Sequence, residues 1–514
     1  MRAGIEIDAA RIESEIEPMI YGHFIENMAR CIYGGLLRNE RPGFIRGPWK
    51  LREDLLAMVK EIKPPVIRWP GGLFADGYHW RDGVGPPGAR PLKRNRYWSR
   101  YGPFTRVLDP NVFGSDEFIE LVNALGAVPY VNVNLGTGSA REAARWVEYM
   151  NGAADTLEGR RRAEYGRSEP VGVRLWGIGN EMYGIWSLGH CGPLEYARRY
   201  AEFREAMEAV DPDLRYVAVG ADKYFNKTWN REVLSEIGDR VDYLSIHIYL
   251  PGPERMAGVL AARLRNGSAG LYHGIVAAPL EVERRLNLVK KDIDAAMGPD
   301  SSVEVTLDEW NLWWKLSQLL VPRFTLRDAL FVCGTFHALH RTSHFLKMAN
   351  IAQMVNVLGL LCARGERVYR STIYYPFLMY TGLAGPKRLG TKVKCETFST
   401  TRVGGIPSMR DVPVLDCTAT MSEDGMTLTL FVINRHMTDD VPVELHFDGF
   451  SPGGQVDVHC LNGPGANSVN SYGRDEVVGI KREMFDAGDI LPLYTFPAHS
   501  VTALVLKAQV FRAG

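Results

Sequence analysis

The chain has 514 residues and a formal net charge of zero, with 46% hydrophobic and 23% charged residues. This length excludes a small disulfide-stabilised scaffold and allows one large barrel with a smaller partner domain. The balanced charge provides no long-range field that would hold the chain on nucleic acid or anionic lipid, so we expect neither as a partner.

The cysteines and the N-terminal segment indicate the cellular compartment of the protein. The seven cysteines are scattered and form no CxxC pair, so neither a disulfide framework nor a cysteine-based zinc site is predicted. Segment 1–18 alternates apolar and charged residues where a signal peptide would have a continuous apolar core. No later stretch is long and apolar enough to span a bilayer. We therefore expect a cytoplasmic protein without a membrane partner.

Short apolar runs alternate with amphipathic segments along most of the chain. The runs are typical of buried strands, and the segments have apolar residues at the three- and four-residue spacing of helices. The strand candidates are 19–24, 66–69, 128–133, 173–178, 216–219, 243–247, 303–307 and 345–351. The helix candidates are 51–62, 115–126, 195–210, 279–297 and 326–342. Eight strand–helix repeats predict a closed parallel (β/α)8 barrel of the TIM type, in the α/β class.

The pattern changes after about residue 385. Segments 427–436, 441–447, 455–461 and 500–507 alternate apolar and polar residues between Gly, Pro, Asn and Asp clusters, without a helical period. They predict a C-terminal antiparallel β-sandwich. Segment 3–9 also has a strand pattern. We predict an N-terminal strand within 1–16 that joins the sandwich, a barrel over 17–385 and the sandwich over 386–514.

Two glutamates stand at the predicted ends of the fourth and seventh strands. They are Glu181, directly after Asn180, and Glu309. Because side chains at the carboxyl ends of barrel strands meet at one mouth, these carboxyls can face each other. Cleavage of a glycosidic bond needs such a pair, one to protonate the leaving oxygen and one to attack or to activate water. A single glutamate is more often a solvated charge. Here the context favours function, since tryptophans that could stack on sugars or fill the core lie nearby, namely Trp176, Trp186, Trp310, Trp313 and Trp314.

Six blocks in chain order resemble the signature blocks of glycoside hydrolase family 51, the α-L-arabinofuranosidases. They are 21–36, 66–86, 176–184, 244–249, 307–314 and 347–358. The resemblance covers the whole chain and implies a retaining enzyme that releases terminal non-reducing α-L-arabinofuranosyl residues by double displacement. It also implies a barrel with a β-sandwich that includes an N-terminal strand, no cofactor or metal, and a homo-oligomer, since relatives are often hexamers.

The resemblance also implies roles for individual residues. Glu181 matches the general acid/base and Glu309 the nucleophile. Asn180 matches the residue that binds the sugar 2-hydroxyl, Glu26 the residue that holds the furanose hydroxyls, and Tyr249 a hydrogen-bond donor to the nucleophile. Three further residues match the pocket floor, namely His247, Arg68 and Gln353.

Two of the pocket-floor residues and both glutamates also have an interpretation from physical chemistry. His247 could equally be a satisfied core histidine, and Arg68 a buried partner that keeps Glu309 ionised. An acid must hold its proton near neutral pH, so we expect an apolar, aromatic setting to raise the pKa of Glu181. We expect hydrogen-bond donors to keep Glu309 charged.

Two features depart from the family pattern. Leu73 stands where relatives usually have Asn or Cys beside the sugar, which leaves the identity of the substrate open. Segment 98–111, which begins at Trp98, is several residues longer than usual, and the cationic, aromatic run 93–104 would alter the loop on the leaving-group side. We favour the alternative interpretation of a solvated surface insert.

Other functions remain as alternatives. Gly136 and Gly138 follow a strand and precede a helix as in a dinucleotide-binding turn, but Arg141 stands in place of the third glycine, and a plain strand-to-helix turn is simpler. An endo-acting glucanase or xylanase is an alternative within the same class. A catalytically silent carbohydrate-binding protein is another, although two buried carboxyls would be costly for a mere binder.

Three histidines on one predicted helix could bind zinc. No carboxylate and no HExxH pattern accompanies them, so exposed helix histidines are the simpler interpretation. They are His337, His340 and His344.

Overall fold

The computed structural model describes residues 3–41, 44–45, 47–100, 108–252, 256–314 and 316–509. Eight parallel strands close into a barrel in which neighbours in the chain are neighbours in the circle. They are Gly22–Phe24, Val66–Trp69, Val128–Val133, Leu175–Ile178, Arg215–Val219, Tyr243–Pro251, Glu304–Trp313 and Leu346–Ala352. The prediction of a TIM-type barrel is therefore confirmed.

Three of these strands differ clearly from their predicted ranges. The first begins only at Gly22 because Pro18–Tyr21 forms a 3-10 turn. The sixth and seventh run on to Pro251 and Trp313 instead of ending at residues 247 and 307. In the seventh strand Asp308 and Glu309 look like the start of a loop, since buried charges are costly unless they are paired. Here they are paired, so Glu309 lies within the seventh strand and not after its end.

The larger helices surround the barrel. They are Glu53–Glu61, Ser115–Leu125, Ala140–Asn151, Leu157–Glu164, Pro193–Glu208, Trp229–Ile237, Met256–Met297, Leu326–Thr342 and Tyr374–Leu383. Gly267 interrupts the longest of them with φ 64° and ψ −164°. In the part of the chain that the structure describes, no helix combines the length and apolar character needed to cross a membrane.

The turn at residues 134–139 joins the third barrel strand to a helix. Asn134 Oδ1 accepts the backbone N–H groups of Thr137 at 2.8 Å and Gly138 at 3.0 Å. Ser139 Oγ caps the helix by accepting the Glu142 N–H at 3.2 Å. Because side chains already satisfy these amides, the segment is a strand-to-helix turn and not a phosphate cradle.

The second domain is built on one nine-stranded sheet. Its strands, in spatial order, are Gly479–Asp486, Pro452–Asn462, Ser500–Ala508, Thr427–Asn434, Leu415–Met421, Lys387–Lys394, Ala3–Glu15, Val441–Asp448 and Tyr494–Phe496. Side chains near both ends of this order, such as Val458 and Phe496, belong to one buried cluster. The sheet therefore wraps around a single core, as in the predicted sandwich.

The N-terminal strand Ala3–Glu15 lies within this sheet. It pairs antiparallel with Lys387–Lys394 and parallel with Val441–Asp448. The expected contact with the C-terminal strands is thus present, and the predicted antiparallel C-terminal domain is confirmed, with one parallel pairing where the N-terminal strand meets Val441–Asp448. The domain boundaries at residues 16 and 385 stay a prediction.

Helix Leu326–Thr342 lies between the two units and is almost wholly buried. The prediction of exposed histidines is wrong for His337 and His340, which are completely buried, and holds for His344. The Tyr380 hydroxyl lies 2.6 Å from His337 Nε2, and the Tyr21 hydroxyl lies 2.6 Å from His340 Nε2. Burial lowers the pKa of both histidines. They are neutral hydrogen-bonding groups of the core, which the helical pattern alone could not show.

Candidate active site

Glu181 lies in the turn that follows the fourth barrel strand. Gly179 has φ 83° and Glu181 itself has φ 46°, a left-handed conformation that non-glycine residues rarely adopt. The Glu181 carbonyl accepts the Gly184 N–H at 2.8 Å and the Ser187 hydroxyl at 2.9 Å, which fixes the turn. Such strain in a fixed turn is typical of a functional residue.

Glu309 has a donor on each carboxylate oxygen. Arg68 Nη1 lies 2.6 Å from Oε1, and the Tyr249 hydroxyl donates to Oε2 at 2.8 Å. Gly72 approaches so closely that a Cβ there would lie 2.2 Å from Oε1. Sequence reasoning missed Gly72, although the Pro-Gly-Gly turn after the second strand was a visible signal.

The two glutamates meet at the barrel mouth. One oxygen of Glu181, one of Glu309 and a ring nitrogen of His247 all lie within 4.8 Å of one another. This spacing is close to the roughly 5–5.5 Å carboxyl separation of retaining glycosidases and well below the roughly 6.5–9.5 Å of inverting ones. By distance alone the three groups could also bind a metal cation. However, Arg68 already contacts the Glu309 carboxylate and the His247 ring contacts the Glu181 carboxylate, so both carboxylates have a partner.

His247 controls the protonation of Glu181. Its Nδ1 lies 2.8 Å from Glu181 Oε1, while Trp186 Nε1 donates to Oε2 at 2.5 Å. Burial alone would raise the pKa of Glu181, but the hydrogen bond and charge of His247, with Trp186, outweigh burial and lower it. Burial would lower the pKa of His247, yet the negative charge of Glu309 and the neighbouring Asp308 and Glu181 raise it to about 10. The expectation of a raised pKa for Glu181 is therefore wrong, because the proton is held on the imidazole instead.

Asp308 is a third buried carboxylate, which sequence reasoning did not single out. It accepts from the Tyr130 hydroxyl at 2.8 Å and from the Ser245 hydroxyl at 2.5 Å. His247 Nε2 and Arg68 Nε each lie 3.4 Å from it. Burial would raise its pKa, but Arg68 and His247 lower the pKa to about 2. Asp308 thus holds both cationic side chains that touch the two glutamates.

Glu26 and its partners line the same pocket. Glu26 Oε1 accepts the Phe74 N–H and Trp98 Nε1–H, both at 2.8 Å, and Oε2 accepts Gln353 Nε2–H at 3.1 Å. Burial and the negative charge of Glu309 raise the pKa of Glu26 to about 8, against the opposing effect of its donors. Phe74 was not predicted, because its backbone rather than its side chain makes the contact.

Two side-chain amides beside the glutamates have a buried polar atom without a hydrogen-bond partner among the described residues. Asn180 Oδ1 accepts Arg68 Nη2–H at 2.7 Å, but Asn180 Nδ2 has no hydrogen-bond partner within the described residues. Gln353 Oε1 is likewise buried and unpartnered among them. Unpaired buried polar groups cost free energy, so these atoms are suited to pairing with ligand hydroxyls.

The remaining predicted residues take different positions. Trp98 is only 9% exposed and contacts Glu26, while Asp109, at the other end of the long segment, is also buried. The interpretation as a solvated insert is wrong at these two ends, and residues 101–107 lie outside the described ranges. Leu73 is half-buried against the barrel core. Trp176 and Trp310 are buried core residues and do not line the cleft.

A closed parallel barrel whose mouth holds two close carboxylates, with a pocket of hydrogen-bonding groups beside them, defines a glycoside hydrolase.

Comparison with known proteins identifies the family. The family models for the α-L-arabinofuranosidase 1 domain and the α-L-arabinofuranosidase C-terminal domain match residues 58–259 and 308–500. The chain is 32% identical to α-L-arabinofuranosidase C of Emericella nidulans, over 98% of this chain and 97% of that protein. It is 31% identical to an intracellular exo-α-(1→5)-L-arabinofuranosidase of Streptomyces lividans, over 87% of this chain and 66% of that protein. The solved structure of the family 51 α-L-arabinofuranosidase of Thermotoga petrophila matches with a TM-score of 0.85 and 34% identity, over 98% of this chain and all of that one.

The chain belongs to the glycoside hydrolase family 51 α-L-arabinofuranosidases. It is therefore a glycosidase that acts on α-L-arabinofuranosides, and the predicted family and activity are confirmed.

Proposed function

We propose that the enzyme acts by retaining double displacement and removes one terminal non-reducing α-L-arabinofuranosyl residue at a time. Glu309 is the nucleophile and Glu181 the general acid/base. The observation that carries this proposal is the approach of the two carboxylates within 4.8 Å, because that gap is suited to a direct attack and is narrow for an intervening water.

In the first step Glu309 attacks the anomeric carbon while the bond to the leaving oxygen breaks. Arg68 and Tyr249 hold the carboxylate in place through its two hydrogen bonds. Glu181 gives a proton to the leaving oxygen. That proton reaches Glu181 from the His247 imidazolium through the 2.8 Å contact between Nδ1 and Glu181 Oε1, so the step ends with a Glu181 carboxylate and a neutral His247.

In the second step Glu181, now a carboxylate, takes a proton from water. The water attacks the anomeric carbon and breaks its ester bond to Glu309, so the released arabinose retains the α configuration. The imidazole of His247 can accept the proton from Glu181, which restores the starting state.

The pocket beside the nucleophile binds the furanose ring in this proposal. Asn180 Nδ2 donates to the 2-hydroxyl, a contact that strengthens as the ring approaches the oxocarbenium-like transition state. Glu26 and Gln353 bind the other hydroxyls, and Trp98 holds Glu26 in position. Leu73 offers an apolar contact where relatives have a polar side chain.

The roles of the two glutamates are tested with an activated aryl α-L-arabinofuranoside. We expect Glu309→Ala to abolish turnover, because no covalent intermediate can form. Glu181→Ala should spare the first step, since a good leaving group needs little protonation, and slow the second. Exposed Glu366 provides the control Glu366→Ala, which should leave both steps unchanged. Equal loss in both active-site variants would contradict the assignment.

A panel of aryl furanosides and pyranosides, with xylan and glucan, tests substrate class. Release of arabinose from furanosides alone supports the proposal, whereas internal cleavage of the polymers would indicate an endo-acting glucanase or xylanase. Sugar binding without any hydrolysis would indicate a silent binder.

We also propose a cytoplasmic location, supported by the Streptomyces relative that is named intracellular. The assembly as a homo-oligomer, a hexamer by family resemblance, stays a prediction that light scattering on the purified protein can check.

A further inference from the structure

A cluster of aromatic rings extends from the acid/base to two exposed rings at the surface. Trp186, which donates to Glu181, lies 5.6 Å from the Phe225 ring in an edge contact. Tyr183 stacks on Phe225 with centroids 6.1 Å apart, and Tyr224 meets Phe225 at 5.0 Å. Phe225 is 45% exposed and Tyr224 is 38% exposed. We name these four rings the aromatic platform. Clustered exposed apolar rings at a site mouth indicate a binding surface.

The loop that presents Phe225 and Tyr224 is fixed. It follows the fifth barrel strand, and the Asp222 carbonyl accepts the Phe225 N–H at 2.8 Å. Asp222 pairs with Arg285 at 2.6 Å, and both side chains are less than one-tenth exposed. Lys223 pairs with the buried Asp292 at 2.8 Å. Because two ion pairs anchor the loop to helix Met256–Met297, the rings are held outward without support from a bound partner.

The position of the aromatic platform relative to Glu181 indicates which ligand it would bind. Glu181 must touch the oxygen of the leaving group, so Trp186 lies beside the first sugar of that group. Phe225 and Tyr224 lie one ring further from Glu181, where a second sugar of the same chain would follow. Aromatic faces bind the C–H faces of sugars without requiring charge.

We propose that Phe225 and Tyr224 form a subsite for the second sugar of the leaving chain, which makes short uncharged oligosaccharides better substrates than disaccharides. The inference rests on the proposed exo-acting function. It assigns the loop after the fifth strand a role in selecting chain length, separate from the furanose pocket around Glu26.

The test compares kcat/KM for α-1,5-arabinobiose, which ends at the first leaving sugar, with that for α-1,5-arabinotriose, which reaches the platform. We expect the wild type to prefer the triose. Phe225→Ala should lower the ratio of triose to biose by about five- to tenfold, the size of one lost aromatic contact. Phe225→Trp should keep the preference. Tyr165 is similarly exposed at 44%, and the control Tyr165→Ala should leave the ratio unchanged.

Other outcomes overturn the inference. An equal loss on both substrates would mean that Phe225 only supports the turn of Glu181. An unchanged ratio would mean that the platform binds no sugar, and a change in oligomeric mass on Phe225→Ala would make it a contact between copies of the chain. If the wild type cleaves neither substrate nor an aryl furanoside, the proposed function itself fails, which is a distinct result.

Discussion

Glu26→Gln tests the protonation state of the furanose pocket. The pKa of Glu26 rises from an ordinary 4.5 to about 8 because the carboxyl is buried beside the negative Glu309. The folded protein therefore binds this proton more tightly than the unfolded chain does. By linkage, this contribution is fully present below pH 4.5 and is lost as the pH rises toward 8. Glutamine does not titrate and should remove the effect.

The expected magnitude follows from the gap between the two pKa values. At about 1.4 kcal/mol for each pH unit, the wild type loses on the order of 5 kcal/mol relative to Glu26→Gln between pH 4.5 and pH 8. The substitution fits the pocket if the Gln353 amide turns over, because Gln353 Nε2 faces Glu26 in the wild type and the turned amide would present Oε1, which has no partner in the described chain, to the new N–H group. Its carbonyl can still accept from Phe74 and Trp98.

The assay is the free energy of unfolding, from denaturant titrations of both proteins at several pH values between 5 and 8. Titrating groups that do not interact with Glu26 cancel in the difference between the two proteins, so this difference reports Glu26 together with its coupling to Glu309. Exposed Glu366→Gln serves as the control and should track the wild type. A difference that stays constant with pH would show that Glu26 is ionised in the folded protein and would refute the reasoning.

Three further substitutions have distinct readouts. Tyr249→Phe removes the 2.8 Å hydrogen bond to Glu309 and should lower kcat/KM on an aryl arabinofuranoside about 10- to 100-fold; a loss below threefold would contradict it. Gly72→Ala places a Cβ against Glu309 and should displace its carboxylate, which should lower activity roughly 100-fold while the circular dichroism spectrum stays unchanged. Full activity would show that the backbone at residue 72 can move to accommodate the methyl group. Ser139→Ala removes a helix cap and should cost about 1 kcal/mol in denaturant titrations at unchanged kcat/KM. Equal stability of the two proteins would show that the cap contributes nothing.

The sequence was a good guide to the barrel because its strands and helices have different periods. Ranges 66–69 and 128–133 agree with the observed strands, and 326–342 agrees with the observed helix. The predicted seventh strand ends at residue 307 because the next residues are the charged Asp308 and Glu309. Local pattern gives no sign that Arg68 and Tyr249, from two other strands, will pair with these charges.

Residue type alone also could not separate core groups from cleft groups. Trp176, Trp186 and Trp310 have the same prediction from the sequence, namely a role in stacking on sugars or in the core. Of these three, only Trp186 contacts the carboxylate of Glu181. His340 and His247 are both buried, but His340 lies against a tyrosine hydroxyl while His247 lies among three carboxylates. The distinction depends on which elements pack together, and that information lies far apart in the chain.

The pKa of Glu181 is lowered and not raised, so the proton is not kept on its own carboxyl. In other sites an apolar pocket raises the pKa of the acid, and the acid then carries the proton itself. In this site His247 lies 2.8 Å from Glu181, and Asp308 on its far side keeps the ring positively charged. The proton is therefore held one hydrogen bond away while Glu181 stays ionised. As the leaving oxygen gains negative charge, the imidazolium passes its proton to Glu181, and Glu181 passes it on to the leaving oxygen. The acid role that we propose for Glu181 therefore requires no raised pKa of its own.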